Sequence, residues 1–80
     1  MNLVEVGNRL RSVREEKGLS RERVAADNGI SVSAITMYET GARSARDEIK
    51  EKLADYYGLS IGSLFYGEKC HGSWLKEVQQ

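Results

Sequence analysis

The chain of 80 residues is predicted to be a single small all-α domain. Apolar residues recur at spacings of three and four, and no stretch alternates with the period of a strand. Capping residues precede these runs and glycines follow them, which divides the chain into short helices. There is no proline, and 30% of the residues are charged, a composition that suits a soluble helical domain. With 40% hydrophobic residues, a chain of this length buries about 60% of its unfolded surface around one core.

Leu3, Val6, Leu10 and Val13 stack on one side of a first helix, expected from about residue 3 to Lys17, with Asn2 and Glu5 at N-cap and N3 spacing. Gly18 ends it, Leu19 is a staple residue, and Ser20 caps a second helix, RERVAADN, that closes at Gly29. Ser31 caps a third. Turning 100° per residue puts Ile35 and Tyr38 on its core side, and Val32, Ser33, Thr36 and Met37 on the other. Thr40, Gly41 and Ala42 break that run, and Ser44 with Asp47 resembles a capping box. Ile49, Leu53, Tyr56 and Tyr57 then form the stripe of a fourth helix up to Gly58. Ser60 caps a last short helix with Ile61, Leu64 and Phe65 inward. The domain is expected over 1–67, with 68–80 a tail or a short amphipathic helix carrying Trp74, Leu75 and Val78.

Two short helices meeting at Gly29, with small Ala25 four residues earlier and Ile35 and Tyr38 after it, meet the physical needs of a helix-turn-helix. The small residue lets the helices approach, the glycine permits a left-handed turn, and the two large residues anchor the second helix. Here the sequence resembles the Xre family of bacterial and phage regulators, which includes lambdoid repressors and Cro. The resemblance runs from about Gly7 to Tyr66 through RLRSVREEKGLSRERVA, GISVSAITMYETGARS and RDEIKEKLADYYGLSIGSLF. It implies a compact five-helix, lambda-repressor-like DNA-binding domain with a short C-terminal extension. Such domains usually dimerise on a pseudo-palindromic operator, with the third helix in the major groove and the second across the backbone.

The resemblance also implies roles for residues. Val32, Ser33, Thr36 and Met37 fall at the base-reading positions. None offers the bidentate contacts worth about 1–3 kcal/mol each, so hydroxyls and contacts to thymine methyl groups are left for reading. Ser20, Arg21, Ser31, Arg43 and Arg46 fall at DNA-backbone positions, Arg21 where the family often has glutamine. Arg14 and Glu39 match a structural ion pair. Asn28 departs from a usual apolar residue and is expected to cap the second helix, and Ala45 replaces a frequent proline.

Charge is unevenly distributed. Residues 1–46 carry eight Lys and Arg against six Asp and Glu, whereas residues 47–80 carry four against six, a split of +2 and −2. The third helix has no cation, so attraction to a polyanion falls to the arginines that flank it. Trp74, Leu75 and Val78, with Tyr57, Leu64 and Phe65 nearby in the chain, are expected to build a dimer interface, the alternative being that the C-terminal segment folds back on its own domain or stays frayed.

Cys70 and His71 are too few for a metal site, and their pairing does not suggest catalysis. Gly58, Gly62 and Gly67 do not form a phosphate cradle. No cofactor, metal or enzymatic activity is expected. With neither a signal peptide nor a spanning segment in the sequence, the chain is expected in the cytoplasm, associated with the nucleoid. The expected function is sequence-specific binding of double-stranded DNA by a homodimeric transcriptional repressor of phage, mobile-element or bacterial genes, controlled by concentration, proteolysis or a regulatory protein partner. The alternatives are a DNA-binding antitoxin whose tail from Glu68 to Gln80 holds the toxin, and a protein-interaction module that has lost DNA binding.

Overall fold

The computed structural model describes residues 2–67. Among them are five helices and no strand: α1 Leu3–Glu16, α2 Arg21–Asn28, α3 Val32–Thr40, α4 Asp47–Tyr57 and α5 Ile61–Phe65. Four begin on the expected caps. Asn2 Oδ1 accepts from the N–H groups of Val4 and Glu5 at 2.9 and 3.3 Å. The hydroxyls of Ser20, Ser31 and Ser60 accept from Arg23, Ala34 and Ser63 N–H at 3.0 Å each. The fourth helix departs from expectation. Its N-cap residue is Arg46 and no side chain bonds to its first turn, so Ser44 and Asp47 do not form a capping box. Asp47 and Glu48 lie in that first turn, where negative charge complements the helix dipole. The third helix also runs one residue further than expected, through Thr40 to a left-handed Gly41.

α1 lies against α3, α2 packs on α3 and α4, and α5 closes the bundle against α1 and α4. Val24, Leu53, Leu64 and Phe65 are the largest fully buried side chains, surrounded by Val6, Leu10, Ala25, Ile35, Tyr38 and Tyr57. This corrects the interface expected from sequence. Tyr57, Leu64 and Phe65 are core residues, none more than 4% exposed, so their side chains are already covered within one protomer. Burial pushes the Tyr57 hydroxyl up to about 12, and the nearby Glu39 carboxylate adds to the shift. Trp74, Leu75 and Val78 lie outside the described residues.

The α1–α3 contact depends on a glycine. A β-carbon on Gly7 would run into the carbonyl oxygen of Glu39 and come within 2.8 Å of that of Tyr38, so the two backbones meet without an intervening side chain. Polar contacts hold the remaining helix ends. Arg9 Nε and Nη2 donate to the Leu64 and Phe65 carbonyls at 3.0 and 3.2 Å, satisfying groups that α5 leaves open. Lys52 Nζ donates to the Asn28 carbonyl at 3.0 Å, and the Tyr56 hydroxyl donates to Asp27 Oδ2 at 2.6 Å, tying α4 to the end of α2. Asn28 does not cap α2. Its buried amide donates to the Val24 carbonyl one turn back at 2.8 Å, and Gly29 takes the cap position instead. Lys50 is buried with its ammonium 3.1 Å from the Tyr66 hydroxyl and 5.2 Å from the centre of that ring.

Gly7→Ala is expected to destabilise the fold by about 1–3 kcal/mol through overpacking, lowering the melting temperature by several degrees in a calorimetric scan. The Asp27 carboxyl is held below the usual 3.8 by the Tyr56 hydroxyl and then by Arg23. A lowered carboxyl pKa adds stability that is complete above the unfolded value and is lost as pH falls through the folded one. The stability gap between wild type and Tyr56→Phe should therefore be full at neutral pH and narrow in denaturant titrations well below pH 3.8.

Candidate nucleic-acid interface

Gly29 makes the junction of α2 and α3. It sits at φ 66°, a left-handed conformation that any β-carbon would strain, and its N–H returns to the Ala25 and Ala26 carbonyls. Ala25 is buried at the crossing and Ile35 anchors the second helix, as the spacing required. α3 therefore turns its opposite face outward. Val32 and Met37 on that face are 38% and 40% exposed, large apolar side chains left in water. Ser33 is exposed beside them. Thr36 lies on the same face, but its hydroxyl donates to the Val32 carbonyl at 3.0 Å. This narrows the sequence-based expectation: Thr36 keeps an acceptor and a methyl group for an incoming ligand, while its proton is already engaged.

The backbone candidates lie around this face. Ser20 and Ser31 each use a lone pair to cap a helix, which leaves the hydroxyl proton able to donate outward. Arg43 and Arg46 are exposed on the loop between α3 and α4, with no ion pair among the described residues. Together with Tyr38, Ser44, Glu48 and Ile49 they line a shallow groove at the α4 N-terminus. Two unpaired guanidinium groups next to an uncharged helix face form an arrangement that can attract a phosphate backbone while the helix meets base edges.

Behind the face lies the ion pair expected from sequence. Arg14 Nε and Nη2 donate to Glu39 Oε2 and Oε1 at 2.7 and 3.1 Å, a bidentate pair in which the Glu39 side chain is only 2% exposed. The hydrogen bond to Glu39 raises the Arg14 pKa, which keeps the guanidinium charged. Arg14 Nη1 also donates to the Leu19 carbonyl at 2.8 Å, which fixes the backbone entering the α2 cap. Sequence reasoning missed a third member: Arg21 Nε donates to the same Glu39 Oε1 at 3.0 Å. The spacing of Arg21 from Glu39 carried no signal for this, because the contact depends on how α2 crosses α3.

A left-handed glycine between two short crossing helices, with the outer face of the second open and cations at its flanks, defines an Xre-like helix-turn-helix domain. The chain belongs to the helix-turn-helix domain family, which matches residues 5–64. It is 37% identical over 57 residues to the cryptic phage CTXphi transcriptional repressor RstR of Vibrio cholerae, a match covering 71% of this chain and 51% of RstR. It is likewise 37% identical over 59 residues to the HTH-type transcriptional regulator PuuR of Escherichia coli K12, covering 74% of this chain and 32% of PuuR. The chain thus spans about half the length of RstR and about a third of PuuR. Among solved structures it is similar to the DNA-binding domain of BldD from S. venezulae. The TM-score is 0.71 at 27% identity, over 80% of this chain and 96% of that one.

Glu39→Gln is expected to strand two arginines around a neutral amide and to cost roughly 3–5 kcal/mol in urea unfolding. Arg21→Gln should cost far less, because Arg14 still satisfies the carboxylate.

Proposed function

We propose that the protein is a sequence-specific DNA-binding transcriptional regulator that acts as a dimeric repressor, with α3 entering the major groove. The observation that carries this reading is the exposed, uncharged face of α3 between a capped α2 N-terminus and the arginine-bearing loop after α3. On this reading Val32 and Met37 pack against thymine methyl groups, Ser33 donates or accepts at base edges, and Thr36 offers its methyl group or accepts a hydrogen bond. Ser20, Arg21, Ser31, Arg43 and Arg46 hold phosphates and set the register. The repressor name of RstR and the regulator name of PuuR support the same assignment. Two protomers with half-sites about 34 Å apart would read a pseudo-palindromic operator. The burial of Tyr57, Leu64 and Phe65 leaves the pairing surface to other residues. We place the protein in the cytoplasm, at the nucleoid; no helix among the described residues is long and apolar enough to cross a membrane.

Selection of bound duplexes from a random pool should return a T-containing, two-fold symmetric consensus, and a pool that stays random would refute specific reading. Arg43→Ala is expected to weaken binding to every duplex and to lower the salt slope by about one. Ser33→Ala and Met37→Ala should instead change sequence preference in the same selection. Sedimentation of the full chain in the low micromolar range, with and without operator, checks the dimer.

A further inference from the structure

We propose that Glu39 is a positioning residue for DNA binding: it holds the Arg21 guanidinium by one edge so that the opposite edge receives a backbone phosphate. This rests on the DNA-binding reading above and adds to it how the phosphate contact at the start of α2 is pre-organised. Glu39 is buried at the end of α3, and Arg14 fixes its carboxylate through two hydrogen bonds. Arg21, the first residue of α2, donates its Nε–H to Oε1 of that carboxylate at 3.0 Å. Its side chain is 35% exposed, whereas that of Arg14 is 9% exposed, so Arg21 is the member of the trio that reaches solvent.

Arg14 also has Glu15 at 4.0 Å, a carboxylate paired more closely with Arg11, whereas among the described residues Arg21 meets Glu39 alone, so the positive charge that the shared Glu39 leaves uncompensated falls to the outer arginine. The Nη groups of Arg21 make no hydrogen bond among the described residues. A guanidinium is planar, so fixing Nε to one partner also fixes the direction in which the two Nη groups point. A side chain that is already ordered loses less freedom on meeting its ligand. Lysine could supply the same charge. Its single ammonium cannot offer separate edges to a carboxylate and a phosphate.

The test uses the full-length chain and a labelled random-sequence duplex about three helical turns long, because a phosphate contact does not depend on sequence. Arg21→Gln should bind about tenfold more weakly, with the slope of log K against log salt reduced by about one. Arg21→Lys should keep the wild-type slope and remain several-fold weaker than wild type. In the free wild-type protein the Arg21 Nε–H should give an NMR resonance protected from solvent exchange. An unchanged slope in Arg21→Gln, a lysine variant equal to wild type, or an Arg21 Nε–H exchanging as fast as that of Arg43 would overturn the proposal. Folded wild-type protein that binds no duplex at low salt would defeat the DNA-binding reading itself.

Discussion

The Glu39 carboxylate is the point on which the arrangement depends. It is buried at the end of α3, and a charge in that position is tolerated only because both oxygens are hydrogen-bonded to guanidinium groups. Arg14 brings α1 to it and Arg21 brings α2, so one side chain sets the positions of three helices. Arg14 further holds the Leu19 carbonyl, which fixes where α2 starts. The backbone of Glu39 is constrained as tightly as its side chain, because Gly7 lets α1 lie directly on its carbonyl group. The exposed face of α3 therefore projects from a helix whose end is fixed both by charge and by close packing.

This construction accounts for how a chain with no net charge can present a surface suited to a polyanion. Of the acidic residues near α3, Glu48 is exposed in the groove that Arg43 and Arg46 line, while the two closest to the α2–α3 junction and the end of α3 are engaged internally. Glu39 is covered, and Asp27 is held by Arg23 and Tyr56. Arg43 and Arg46 keep their charge in solvent. The summed charge is a poor guide here, because electrostatic attraction depends on which charges remain uncompensated at one face.

Much of the fold was legible in the sequence because its signals are local. Asn2, Ser20, Ser31 and Ser60 each cap a helix through a bond to backbone two or three residues away, a pattern visible in any linear reading. Gly29 is legible for the same reason. Ser44 misled because it has the right residue type and spacing for a capping box, while α4 begins at Asp47 with Arg46 at the cap. Asn28 misled in the opposite way: a residue type common at helix ends faces inward here and satisfies itself on the preceding turn.

The sequence by itself determined the all-helical class, the approximate helix limits and the outward face of α3, because periodicity and caps act within a few residues. The Arg14–Glu39 pair was also expected, through the resemblance to a known family. Only the tertiary structure decided that Arg21 shares Glu39, that Gly7 is a contact point, and that Tyr57, Leu64 and Phe65 are interior. Each of these depends on the angle at which distant segments cross, and apolar periodicity cannot say whether a stripe faces its own core or a partner's.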